Sequence, residues 1–224
     1  MTKATEDTKA KTRKTARAAG EKAAKATPDA RKKRSASVVA KAQAAKAKAA
    51  EAQTGDKGLA DLFEHALADM YYAEKKIYKT LPKMIEAADH PDLIATLTHH
   101  HEETASQIET LEAIFALLDK QPKAEKCDAI DGILKEGESL LEDFGASIAA
   151  DAAIIFSCQA VEHYEITRYG SMKAFAEALG MDEAKAHLEG ILAQESAADS
   201  KLSELAEDSV NDAAAEYDED HATA

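Results

Sequence analysis

Apolar positions recur every three to four residues through most of the chain after residue 58. Stepping at ~100° per residue, Leu59, Phe63, Leu67, Met70, Ile77, Leu81 and Ile85 fall on one helix face. Leu93, Leu97, Thr104, Ile108, Leu111, Phe115 and Leu118 define a second, and Ile148, Ile155, Cys158, Ile166 and Tyr169 a third. Leu188, Ile191, Leu192, Leu202 and Ala206 define a fourth. Strand-like alternation is absent. The pattern predicts helices over roughly 57–89, 91–120, 127–141, 145–170, a short one over 171–179, and 182–209. Asp89-His90-Pro91 reads as a tight stop and restart, Lys120-Gln121-Pro122 as a stop, and Leu179-Gly180-Met181-Asp182 as a C-cap followed by an N-cap. Pro82 should kink the first helix without ending it, because the stripe continues past it. The acidic residues 211–224 are expected to fray. The fold class is all-α, an antiparallel bundle of four long helices with additional short ones.

Carboxylates interrupt these stripes. Glu74 is central on the first face, Glu162 and Glu165 lie inside the third, and Glu195 lies on the fourth with Asp199 one turn on. An unpaired carboxylate in an apolar interior costs several kcal/mol or takes up a proton. Each could pair with a Lys or Arg from another helix. Carboxylates converging from several helices are better explained by a multivalent cation between them. Glu162 and Glu165, three residues apart, project ~60° from one another, which suits two cations ~3.5–4 Å apart. His163 sits at the edge of that face and is read as outside direct ligation. On the second helix His100 and Gln107 lie within the apolar side and Glu103 at its edge. His99 and His101 are expected to be solvated or capping. A His-x-x-Glu pair can ligate a metal, but that spacing is also common by accident, so Glu103 joins Glu74, Glu162, Glu165 and Glu195 as a ligand in the di-metal reading. His100, Gln107, Asp199 and His163 are further ligands or hydrogen-bond partners of ligands.

Charge divides the chain. Residues 1–54 hold 15 of the 28 Lys and Arg but 5 of the 42 Asp and Glu, a net of +10, leaving −24 on the remainder. This first segment has no aromatic residue, Leu or Ile, so it cannot bury enough apolar surface to offset its ordering entropy. The expected organisation is a disordered Lys/Ala-rich tail over 1–55, a bundle over 56–210 and an acidic tail over 211–224. No stretch has the ~20 apolar residues of a membrane span, and no secretory leader is evident. Two cysteines, Cys127 and Cys158, make no disulfide framework, so a cytoplasmic, reducing location is expected.

Several segments carry a resemblance: Asp61-Leu62-Phe63, Asp69-Met70-Tyr71-Tyr72-Ala73-Glu74, Leu81-Pro82-Lys83-Met84, His100-His101-Glu102-Glu103-Thr104 with Gln107, Val161-Glu162-His163-Tyr164-Glu165-Ile166, and Tyr169-Gly170. Together they resemble the YciF-like branch of the ferritin-like superfamily. The resemblance implies a four-helix bundle with extra short helices and a di-metal centre. It is also similar to rubrerythrin in a Glu on the first helix, an ExxE pair on the third and a Glu on the fourth. Two positions depart from that pattern, Glu103 being followed by Ser106 and Gln107 where rubrerythrin-like sites have Glu-x-x-His, and Asp199 standing where they have a His; the YciF-like family also often carries a Glu where this chain has Ala66. Oxygen-rich ligation of this kind favours iron or manganese over copper.

Three function classes follow. One is a di-iron or di-manganese oxidoreductase acting on peroxide, oxygen or Fe(II), with Tyr71 and Tyr169 able to hydrogen-bond at the centre. Another is a nucleic-acid-binding protein in which the tail, densest at Arg31, Lys32, Lys33 and Arg34, holds DNA phosphates without sequence preference. The third is a metal-stabilised structural bundle. A homo-oligomer, in the simplest case a dimer, is the expected assembly.

Overall fold

The structure, a computed structural model, describes residues 56–221. The basic segment, including residues 31–34, lies outside these residues. Helix α1 (Leu59–Ala87) starts after Gly58, whose N–H donates to the Asp61 carboxylate at 2.7 Å, and continues through Pro82. Helix α2 (Pro91–Leu117) opens with proline at its first position, where no N–H is needed. The three residues between them leave room only for an antiparallel return. Helix α3 (Asp128–Phe144) is shorter, and α4 (Ala150–Ala178) and α5 (Asp182–Leu205) form the second long pair. Between those two, Gly180 takes φ 71°, the left-handed conformation that ends a helix, and the Met181 N–H returns to the Ala176 carbonyl at 2.9 Å.

Helices α1, α2, α4 and α5 make the bundle, and α3 is the strut that sets its topology. The Glu125 N–H donates to the Ala68 carbonyl at 3.0 Å, so α3 begins beside the first half of α1. Tyr72 donates to Asp131 at 2.9 Å and Lys83 to Glu138 at 2.9 Å, so α3 then runs parallel to α1. The chain thus returns to the far end before α4 starts. There the Asp151 carboxylate accepts the N–H groups of Asp89 and His90 at 2.9 and 3.0 Å. Helix α4 is consequently antiparallel to α1, as α5 is to α2. Gly137 lets α3 approach α4 closely, since a Cβ there would stand 3.3 Å from that of Ser157.

Three sequence expectations are corrected. Helix α4 runs unbroken through Gly170, so no separate helix occupies 171–179, because Met172 and Ala176 are buried and extend its apolar face. Ile148 is 52% exposed, since it precedes α4 in the connecting turn. Helix α5 does not stop near 209 but passes through a π turn (Ala206–Val210) into helix α6 (Asn211–His221), where fraying was expected. Leu205 and Val210 are both buried although five residues apart. An α-helix would splay such positions ~140° apart, and the wider π turn brings both inward. Among the described residues no helix is long and apolar enough to cross a membrane.

Candidate metal centre

Every long helix of the bundle sends a polar side chain into the same interior point. Helix α2 contributes His100, α4 contributes Glu162 and Glu165, and α5 contributes Glu195. One ligand atom from each lies within 4.8 Å of the others. Glu74 of α1 adjoins them, fully buried, with one carboxylate oxygen accepting the Tyr169 hydroxyl. Glu74, Glu162, Glu165 and Glu195 are at most 2% exposed, which for a glutamate is rare without compensation.

Compensation from the protein is incomplete. Gln107 Nε2 donates to Glu195 Oε1 at 2.5 Å, and His100 Nε2 stands 3.4 Å from Glu162 Oε1 and 4.0 Å from Glu195 Oε2. Glu74 Oε2, Glu162 Oε2, Glu195 Oε2, both Glu165 oxygens and His100 Nδ1 have no hydrogen-bond partner among the described residues. Five unpartnered carboxylate oxygens converging on one another fit a bound cation. A site of hydrogen-bonded neutral groups would leave fewer of them orphaned.

Burial and mutual repulsion govern the protonation of this cluster. Burial, then the Glu195 charge, raises Glu74 to about 8. Burial likewise lifts Glu162 and Glu165 well above the ordinary carboxylate range and raises Glu195. For His100, burial pulls downward, but Glu103, Glu162, Glu195 and Glu74 outweigh it and raise the imidazole to about 9. The metal-free fold therefore holds protons that the unfolded chain would release. This contribution to stability is complete below about pH 4.5 for Glu74 and 6.5 for His100, and is lost as pH rises through about 8 and 9. Metal-free protein should melt progressively lower from pH 6 to pH 9, measured by circular dichroism with chelator present. A flat or rising profile would contradict the arrangement.

The other sequence candidates lie around this point. Glu103 is half-buried outside the interior set, 3.4 Å from His99 Nε2 and 3.9 Å from His100 Nδ1. Asp199 accepts from Gln159 at 3.2 Å and faces the exposed His163 at 3.3 Å. Tyr71 does not reach the centre. Its hydroxyl donates to Glu112 at 2.6 Å and its ring packs edge-on against Phe115. Gln159 and Gln194, which the helical pattern does not single out, hydrogen-bond to Asp199 and Gln107. No periodic signal marks a glutamine at a helix edge.

On the side of α1, α3 and α4 a cavity of about 30 Å³ reaches His100 and Glu162. Its wall is apolar, with Ile77, Met84, Leu134 and Cys158. Burial and then Glu162 push the Cys158 thiol up to about 12, so it remains neutral. The space suits a molecule of about two heavy atoms.

A bundle of this topology, with an acidic centre between its four long helices, is a ferritin-like domain carrying a buried His/Glu group that could hold a metal. Residues 58–215 match the family described as Domain of unknown function (DUF892), and the chain belongs to that family. It is 36% identical to Protein YciF of Escherichia coli (strain K12) over 156 residues, covering 69% of this chain and 94% of that one. The crystal structure of the E. coli stress protein YciF superposes with a TM-score of 0.66 over 70% of this chain and 99% of that one. YcfI from Rhodopseudomonas palustris gives a TM-score of 0.65 at 45% identity, over 67% of this chain and 96% of that one. A protein from Xanthomonas campestris pv. campestris, at 24% identity and a TM-score of 0.54, shares the fold.

Proposed function

We propose that the bundle holds two iron or manganese ions between Glu74, Glu162, Glu165, Glu195 and His100, and that the protein is a stress-associated oxidoreductase acting on peroxide, oxygen or Fe(II). The five orphaned carboxylate oxygens carry the first part of this reading. A donor set of carboxylates with one imidazole favours hard first-row ions. The name stress protein belongs to the relative YciF and supports the physiological context.

Bound metal would supply the electron-transfer chemistry, and the chain's own side chains supply order. Tyr169 holds one oxygen of Glu74 and Gln107 one of Glu195, so each carboxylate keeps its other oxygen facing the interior. His100 bridges the space between Glu162 and Glu195. The largely apolar cavity beside Glu162 has room for a small uncharged reactant.

The test is kinetic. Protein loaded with Fe(II) should consume peroxide or oxygen faster than free Fe(II), and Glu162→Ala should abolish the excess. Equal rates for wild type and variant would move the assignment to a structural bundle. One observation favours that second reading: Tyr169 and Gln107 already hydrogen-bond two of the carboxylates, and raised pKa values would let others remain neutral.

A further inference from the structure

On the side of α2 and α5, the His100 ring stands between solvent and the interior carboxylates. Between α2 and α5 runs a surface groove of about 400 Å³, narrow-walled because Ala95, Ala197 and Ala198 line it. Its floor is His100, which is 4% exposed and also lines the apolar cavity on the opposite side. The two ring nitrogens of His100 look different ways. Nε2 faces Glu162 in the interior, whereas Nδ1 has no hydrogen-bond partner and lies 3.9 Å from the Glu103 carboxylate in the groove. Glu103 itself reaches outward to His99, whose side chain is 72% exposed. A line of His99, Glu103 and His100 thus connects solvent to Glu162 with no apolar layer between them.

We propose that this groove is the loading site of the centre, where Glu103 and His99 first take a divalent first-row cation that then passes the His100 ring to the interior glutamates. The inference rests on the metal reading above and deepens it by assigning the entry. Glu103 suits capture because its carboxylate is partly solvated, so an aqueous ion can exchange some of its water for a charged oxygen without full desolvation. Once the incoming cation displaces its protons, the His100 ring offers a nitrogen at each of two edges, so an ion moving inward meets a ligand atom before it loses Glu103. Lys201 stands on the rim, engaged by Glu204 at 3.3 Å, and opposes a cation there.

Rapid mixing of full-length, metal-free protein with Co(II) tests the assignment, followed by the visible absorbance of the bound ion and by metal analysis at equilibrium. Glu103→Gln should slow uptake about tenfold, within the range of local electrostatic steering. Ala197→Phe, which fills the groove and removes no donor, should slow uptake comparably and reach the wild-type stoichiometry. Lys201→Gln should speed uptake. Unchanged rates in both Glu103→Gln and Ala197→Phe would overturn the entry while leaving the centre intact. A lower equilibrium stoichiometry in Glu103→Gln would also overturn it, because Glu103 would then be a permanent ligand. Wild-type protein that takes up no Co(II) would sink the metal reading itself.

Discussion

Removing metal should lower the melting temperature by about 10 °C. A ligand that binds only the folded state stabilises it by RT ln(1 + [L]/Kd), about 4 kcal/mol at 1,000 times Kd, and a domain of this size shifts ~2–4 °C per kcal/mol. The unfolded chain scatters Glu74, Glu162, Glu165 and Glu195 over three helical segments, so it has no comparable affinity. Calorimetry with and without chelator checks the shift, and an unchanged melting temperature would count against the centre. A single variant sharpens the test by reversing sign. Both Glu165 oxygens lack hydrogen-bond partners, so Glu165→Met should raise the stability of metal-free protein at pH 8 by removing a buried, poorly solvated acid. In the presence of metal the same variant should lose most of the metal-dependent gain.

Position along a helix was enough to place four of these glutamates. Glu74, Glu162, Glu165 and Glu195 each share a face with residues such as Met70, Ile155, Tyr169 and Ile191, and a regular helix that buries one must bury the other. The second helix was ambiguous for the same reason. His100 lies within the apolar side and Glu103, three residues on and ~60° around the axis, at its edge, so both were candidate ligands. In the structure α5 approaches here with the small Ala197 and Ala198, His100 is buried and Glu103 stays half-solvated. Tyr169 lay on its apolar stripe and Tyr71 beside one, but the pattern alone did not say which hydroxyl reaches a carboxylate of the centre. Tyr169 lies opposite Glu74 because α4 runs antiparallel to α1, a consequence of the return path of α3. The π turn had no sequence signal, since Leu205 and Val210 look like residues of opposite faces until the helix widens.

DNA of any sequence should be retarded by the full-length protein at low salt, with affinity falling by about a thousandfold between 50 and 200 mM if about six phosphates are neutralised. The residues that would do this are the 15 cations of 1–54, densest at Arg31, Lys32, Lys33 and Arg34. The rest of the chain carries −24 and should be repelled by a phosphate backbone, so it cannot supply the attraction. A chain beginning at Gly55 retains the whole family-matched region, 58–215, and relatives of that extent exist as proteins 94–99% covered by this one. It should therefore fold and fail to retard DNA. The +10 segment contains no aromatic side chain to stack on bases, so competition by unrelated duplexes should be equal at equal length. Retardation by the shortened chain, or binding that persists at high salt, would contradict an electrostatic tail. If neither form binds, the tail is a spacer or pairs with the acidic bundle, and salt dependence separates the two. Pairing should make the hydrodynamic size of the full-length protein change with salt, a spacer should not, and in either case the function would rest on the carboxylate centre alone.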